Sequence, residues 1–225
     1  MKQELSKKLA KEALGKAAAD LVQENMIVGL GTGSTAACFI DSLITRCQQG
    51  LSVQAVATSL ASQKQAEAGG IKVLDIDEVD RIDLTVDGAD WVNHSKELVK
   101  GLGAALLREK IVATASDKLV ILIDNSKLVS VFSSFLLPIE VVPFGASWTQ
   151  RKLQALGHSV KLREGVRSDN GNLIYDLEFS GACESPLELN RLVRETVGVV
   201  ETGFFLDLTD SVFIGDANGE IKILE

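Results

Sequence analysis

The length, composition and charge of the chain exclude several classes of protein. Its 225 residues are 46% hydrophobic, which is enough for a real core in one large domain or two small ones. The net charge of −8 argues against a general nucleic-acid-binding surface, and no apolar run approaches the ~18 residues of a membrane span. Three cysteines without metal or redox spacing, and a charged N-terminus without a signal-peptide core, favour a cytoplasmic protein with reduced thiols.

The chain up to Lys127 alternates between predicted helices and predicted strands. The apolar spacing predicts helices over 4–24, 59–68 and 103–116, and a further helix that Ser34 or Thr35 can cap. Short apolar runs predict strands over 26–31, 53–57, 72–76, 82–86 and 119–123. Strands that alternate with helices predict a parallel sheet covered on both faces.

The pattern changes after Lys127. Strands are predicted over 137–142, 159–163, 173–179 and 199–205, and helices over 146–156 and from Pro186 onward. The order β-α-β-β-α-β is that of a ferredoxin-like unit, and a hairpin over 212–223 closes the chain. We therefore predict an α/β fold: a Rossmann-like parallel-sheet domain, residues 1–132 and 205–225, with an inserted smaller ferredoxin-like α+β domain, residues 133–204.

A glycine-rich turn, Gly29 to Thr35, follows the first predicted strand and opens a helix. Backbone N–H groups and two hydroxyls at the positive end of a helix suit a phosphate. A dinucleotide site would need a small residue instead of Ser34 and an acidic residue instead of Thr58-Ser59, and a Walker A motif would need a lysine after Gly33. We favour phosphate binding over NAD binding; a tight connection that binds no ligand is the alternative.

Asp87 and Asp90 bracket a Gly-Ala turn at a predicted strand end, and Lys100 and Glu109 follow. The carboxyl ends of parallel strands form the usual ligand crevice, and carboxylates beside a cation can move protons next to a polarised carbonyl. Alternatively, each of the four is an ordinary turn, cap or surface charge. A metal site is disfavoured, because the chain has two histidines and no calcium-loop spacing.

Together, these motifs resemble type A ribose-5-phosphate isomerase. The resemblance is carried by Gly31–Thr35, Asp87–Asp90, Lys100–Ala105 and Arg108–Lys110, and Asn125–Lys127 and Asp169–Asn172 also fit. It implies interconversion of D-ribose 5-phosphate and D-ribulose 5-phosphate through an enediolate in the pentose phosphate pathway. It implies a small-molecule substrate, no metal or other cofactor, no nucleic-acid or membrane partner, and a homodimer or homotetramer.

The resemblance also implies a role for each site residue. Glu109 would shuttle a proton between C1 and C2, Lys100 and Asp90 would contact the reacting oxygens, and Asp87 would help to open the furanose ring. The remaining predicted residues bind substrate, the phosphate being held by residues 32–35 with Lys127 and Lys11: Thr32, Gly33, Ser34, Thr35, Gly88, Ala89, Gly101, Leu102, Gly103, Lys127 and Lys11.

Two residues depart from the family pattern. Leu102 stands where glycine is usual, which would strain the loop if that position needs a positive φ. Trp91 stands where an acidic residue is usual, and it could wall the pocket or contact another subunit. Two other functions compete with the isomerase: a sugar-phosphate-sensing domain without enzyme activity, and an amino-sugar phosphate isomerase-deaminase, which would need a catalytic histidine.

Overall fold

The computed structural model describes residues 2–225, with side chains from Lys7 onward. Within this range the helices are α1 Lys2–Ala19, α2 Ser34–Gln48, α3 Leu60–Ala68, α4 Leu106–Thr114, α5 Ala146–Gln154 and α6 Pro186–Arg194. The strands are β1 Ile27–Leu30, β2 Gln54–Ala57, β3 Lys72–Val73, β4 Leu84–Gly88, β5 Trp91–Asn93, β6 Leu98–Val99, β7 Leu119–Asp124, β8 Leu128–Val129, β9 Ser133–Val141, β10 Ser159–Arg167, β11 Leu173–Ala182, β12 Val199–Thr202, β13 Phe204–Phe205, β14 Ser211–Gly215 and β15 Ile221–Leu224. Across residues 2–225, no helix is both long and apolar enough to cross a membrane.

The largest sheet has the strand order β15-β14-β7-β4-β1-β2-β3. All neighbours are parallel except β14 and β15, which form the predicted closing hairpin. Side chains alternate between the two faces of β7, so Val120 and Leu122 join the core under α1 and α2, whereas Ile121 and Ile123 face the opposite side. The predicted α/β fold with a parallel sheet is therefore confirmed. The chain reverses its direction of winding between β1 and β4, and such a switch point opens a crevice at the strands' carboxyl ends.

A second sheet has the order β10-β11-β9-β12, and all of its pairs are antiparallel. With α5 and α6 in the two crossovers, this is the predicted ferredoxin-like arrangement. The apolar side chains of β9 and β11 that point toward these helices form a separate core around Leu137, Tyr175 and Leu177. The division into domains at residues 132 and 205 stays a prediction.

A third sheet, of order β13-β6-β5-β8, was not predicted from the sequence. The predicted strand 199–205 is wrong as a single strand, because it breaks at Gly203 into β12 and β13. The Gly203 N–H donates to the Pro138 carbonyl (2.7 Å), and its own carbonyl accepts from the Lys100 N–H (2.8 Å). A side chain here would meet the Lys100 carbonyl at 2.2 Å, so only glycine fits at this crossing. The third sheet thus joins the second sheet to the lysine.

Several predicted helix ends were wrong. The first helix ends at Ala19 rather than at residue 24, and α4 begins at Leu106 rather than at 103. Ala104 has a φ of 61°, which a helix cannot accommodate, so the chain turns before α4 starts. This later start places Glu109 in the first turn of α4.

Candidate active site

The predicted site residues meet in one crevice at the switch point between β1 and β4. We call it the switch-point crevice; its volume is about 210 Å³, small enough to suit a small metabolite. Asp87 lies directly behind the lining, and Lys11 contacts it from α1. All of the lining residues were predicted: Thr32, Gly33, Ser34, Thr35, Gly88, Ala89, Asp90, Lys100, Gly101, Leu102, Gly103, Glu109 and Lys127.

Lys100 is the centre of a buried charge cluster. Its ammonium nitrogen lies 3.0 Å from Asp87 Oδ2 and 3.3 Å from Glu109 Oε1, and it also donates to the Gly88 carbonyl. All three charged residues are at most 5% exposed. A buried cation needs such partners, because an isolated charge in the interior is strongly unfavourable.

The cluster perturbs the pKa of Glu109 and that of Lys100. Burial, reinforced by the Asp87 charge, raises the pKa of Glu109 to about 8, although Lys100 opposes the shift. Burial alone would lower the pKa of Lys100, but the carboxylates of Asp87 and Glu109 outweigh it and raise the pKa above its ordinary value. Glu109 Oε2 is buried and has no hydrogen-bond partner among the described residues. A base with a raised pKa and an unused oxygen is suited to proton transfer.

Asp87 holds the turns on both sides of the crevice. Its Oδ1 accepts from the Thr32 N–H (3.0 Å) and the Gly88 N–H (2.7 Å), while Oδ2 faces Lys100. The two turns approach so closely that a side chain at Gly31 would meet Asp87 Oδ1 at 2.2 Å. Both oxygens of Asp87 are therefore already engaged.

The glycine-rich turn leaves the start of α2 facing the crevice. The prediction that Ser34 or Thr35 caps this helix was wrong: the cap is Gly33, at a φ of 101°, and no side chain of the described residues bonds there. Ser34 Oγ instead accepts from Lys11 Nζ at 2.8 Å. Thr58, where a dinucleotide site would have an acidic residue, supports the turn through a 2.7 Å contact with the Thr32 hydroxyl. Helical N–H groups, hydroxyls and a lysine thus converge on a place suited to an anion.

A second lysine, Lys127, approaches from the far side. It follows β7 in a short 3₁₀ turn and donates to the Ala89 carbonyl. Burial lowers its pKa, against the influence of Asp90 and Asp124.

The two departures from the family pattern have structural explanations. In the loop Lys100–Ala104, positive φ angles fall on Gly101 (109°) and Ala104 (61°) rather than on Leu102. Leu102 is 57% exposed and its N–H donates to Asp90 Oδ2 at 3.0 Å, so leucine is accommodated without strain. Trp91 packs against the core of the second sheet and does not line the crevice.

Sequence reasoning missed residues that reach this segment from the second sheet. Arg163 of β10 donates to the carbonyls of the Lys100–Ala104 loop. Glu201 of β12 lies 2.9 Å from Lys110, which adjoins Glu109. No local pattern marks either residue, since the groups that they contact in this segment lie more than fifty residues away in the chain.

A larger cavity, of about 420 Å³, lies beside Arg108 at the ends of β2 and β3. Its polar side chains bond to neighbouring protein groups: Gln63 to Glu67 and Arg108 to Asn170. The buried charges of the switch-point crevice make the smaller cavity the stronger candidate. Among the described residues, no three His, Cys, Asp or Glu side chains are grouped to hold a metal ion.

Comparison with known proteins identifies the family. A sequence profile for ribose 5-phosphate isomerase A (phosphoriboisomerase A) matches residues 54–219. The ribose-5-phosphate isomerase A of Bifidobacterium adolescentis is 47% identical over 215 residues, covering 93% of this chain and 92% of its own length. That of Thermomicrobium roseum is 48% identical over 223 residues, covering 96% and 93%. The chain belongs to the ribose 5-phosphate isomerase A family.

Solved structures agree with this membership in the isomerase A family. The ribose 5 phosphate isomerase A of Neisseria gonorrhoeae is 36% identical with a TM-score of 0.90, covering 97% of this chain and 96% of its own. A D-ribose-5-phosphate isomerase in complex with phospho-erythronic acid is 36% identical with a TM-score of 0.91, covering 96% and 97%. The resemblance stated from the motifs is confirmed, and the chain is an enzyme of the aldose–ketose isomerase kind.

Proposed function

We propose that this enzyme interconverts D-ribose 5-phosphate and D-ribulose 5-phosphate through an enediolate. The observation that carries the proposal is the buried contact of Glu109 with Lys100 in the crevice where α2 begins. An acid–base group and a cation lie at one end, and an anion site at the other. A relative's complex with phospho-erythronic acid supports a phosphorylated sugar as ligand.

Glu109 would move the carbon-bound hydrogen. Its carboxylate takes the proton from C2 of the open-chain aldose, the electrons form the enediolate, and the same proton returns to C1 of the ketose. Lys100 stabilises the negative oxygen that develops, which a cation does best in a site shielded from water. The hydroxyl proton passes from O2 to O1. Asp90 and Lys100 are the residues that would contact these two oxygens.

The phosphate would lie against the start of α2. Hydrogen-bond donors for the phosphate come from the N–H groups at the N-terminal end of the helix and from the hydroxyls of Ser34 and Thr35. Positive charge comes from the ammonium groups of Lys11 and Lys127, in a chain whose net charge is −8. The sugar would lie between the phosphate and Glu109, enclosed by Gly88, Ala89, Gly101, Leu102 and Gly103. Binding at the phosphate holds the open-chain form beside Glu109.

Asp87 would act mainly by holding Lys100. Its two oxygens accept from two backbone N–H groups and face the ammonium group, so neither is unoccupied. The assignment of furanose-ring opening to Asp87 stays a prediction, since it requires one of these contacts to be released. The cytoplasmic location and the homodimer or homotetramer also stay predictions, the latter open to sedimentation analysis.

Incubation of the metal-stripped protein with ribose 5-phosphate tests the function. We expect ketose to form without added metal. Ribose lacking the phosphate should react with a kcat/KM lower by roughly 100-fold or more, because the remote binding energy is lost. Absence of ketose from ribose 5-phosphate would contradict the proposal, and equal reactivity of both sugars would contradict the phosphate site.

A further inference from the structure

Arg163 is held rigidly within the second sheet. Its Nε donates to Asp176 Oδ2 at 2.9 Å, and Nη2 donates to the other carboxylate oxygen, so the pair is bidentate. The arginine side chain is 17% exposed. A bidentate, largely buried pair fixes the plane of the guanidinium group.

The third nitrogen of this guanidinium contacts the Lys100–Ala104 loop, which follows directly from Lys100. Nη1 donates to the carbonyl oxygens of Gly101 and Leu102, each at 3.0 Å. These are the residues directly after Lys100, and both line the switch-point crevice. Arg163 itself does not line the crevice, so it can act only through the loop.

The two contacts help to set the direction of two peptide N–H groups, and the Gly101 carbonyl also accepts from the Ala104 N–H at 3.0 Å. In a trans peptide the N–H points opposite to the carbonyl oxygen. With the Gly101 carbonyl on Arg163, the N–H of Leu102 points away and donates to Asp90 Oδ2 at 3.0 Å. With the Leu102 carbonyl on the same nitrogen, the N–H of Gly103 also points away from Arg163. Asp90, which accepts from the Leu102 N–H, lines the crevice, so the side away from Arg163 is the crevice side. Gly103 lines the crevice as well.

We propose that Arg163 is a positioning residue, which turns the Leu102 N–H onto Asp90 and the Gly103 N–H toward the sugar oxygens. The positive guanidinium also polarises both peptide groups, so their N–H groups become stronger donors. This inference rests on the proposed isomerase function. It assigns the second sheet a part in the reaction at the sugar end and none at the phosphate end.

The test compares Arg163→Ala and Arg163→Lys with the wild-type enzyme. We expect kcat/KM for ribose 5-phosphate to fall by roughly 10- to 100-fold, since small misplacements of reacting groups cost about this much. Arg163→Lys should lose as much kcat/KM as Arg163→Ala, because the lysine ammonium lacks the planar, forked geometry of the guanidinium group. The inhibition constant of inorganic phosphate should change by less than about twofold, since α2 is untouched. Added guanidinium ion at a non-denaturing concentration should restore part of the activity of Arg163→Ala.

Lys161→Ala is the matched control. Lys161 lies on the same strand, and its exposed pair with Glu178 (3.5 Å) spans the same two strands without reaching the loop. We expect wild-type kcat/KM from this variant. If Arg163→Ala does not fold, Asp176→Asn is the second variant. Asparagine has nearly the same shape as aspartate but removes the charge that holds Arg163, so we expect a similar fall in kcat/KM.

Three results would overturn the inference. The first is wild-type kcat/KM in the Arg163 variants. The second is an equal loss of phosphate affinity and of kcat/KM, which would indicate general damage to the fold. The third is a fall in kcat/KM in Lys161→Ala as large as the fall in Arg163→Ala. A wild-type enzyme that forms no ketose would instead refute the proposed function, and the inference with it.

Discussion

At the scale of single residues, the proposed role of Glu109 as the base imposes opposing requirements. A base must be ionised to accept a proton, yet burial raises the pKa of this carboxyl to about 8. The raised pKa makes the ionised form a stronger base toward a weakly acidic C–H group. Lys100, at 3.3 Å, keeps the shift from being larger. The site therefore gains base strength at the expense of the ionised fraction near neutral pH.

The kcat/KM of the enzyme should depend on pH through Glu109. Only the carboxylate form is active, so kcat/KM should rise about tenfold per pH unit below its pKa and level off above pH about 8. Initial rates at low substrate concentration across this range are the measurement. A profile that is flat from pH about 5, near the ordinary glutamate value, would show that the carboxyl is not perturbed.

At the scale of elements, the site depends on how closely the turn after β1 approaches the end of β4. The N–H of Gly31 donates to the Val86 carbonyl at 3.0 Å, so the two backbones run side by side up to Asp87. Packing explains two glycines of the motif, since a Cβ at Gly29 would lie 1.8 Å from Thr85 Oγ1 and one at Gly31 would meet Asp87. A positive φ explains the third, Gly33.

Gly31→Ala should destabilise the enzyme by about 1–3 kcal/mol, because the added methyl group overlaps Asp87. Gly88→Ala is the matched control, since its methyl group would lie 3.8 Å from the nearest atom. Urea unfolding of both variants measures the difference. Equal stability of the two would mean that the turns separate without cost and that the close approach does not fix Asp87.

The sequence predicted the main elements where apolar periodicity was long enough to show them. The alternation up to β7 and the β-α-β-β-α-β order after it were both correct. Strands of two or three residues, such as β6 and β8, carry no measurable periodicity and were missed. The start of α4 was predicted too early because alanine, which occupies the turn at position 104, is a strong helix former. The motifs located the crevice, whereas Arg163 and Glu201 could not be found, since only the folded chain brings them there.

At the scale of the whole molecule, the second sheet is joined to the catalytic segment on both sides of Glu109. Arg108 donates to Asn170 Oδ1 at 2.9 Å, and Lys110 pairs with Glu201 at 2.9 Å. Asn170 is itself held by the buried carboxylate of Glu140 (3.1 Å). The first sheet thus positions Asp87 and the start of α2, and the second sheet fixes the segment that carries Lys100 and Glu109. In the proposed reaction, both sheets are needed to bring Glu109 and Lys100 to the sugar.

The central claim is that Glu109 transfers the proton while Lys100 holds the oxygen. Its most direct test is the turnover of Glu109→Gln, a substitution that keeps the shape and removes the base. We predict a kcat lower by roughly 10²–10⁴-fold, with an inhibition constant for inorganic phosphate unchanged from the wild type. A kcat within about threefold of the wild-type value would contradict the account, because the proton would then be moved by another group.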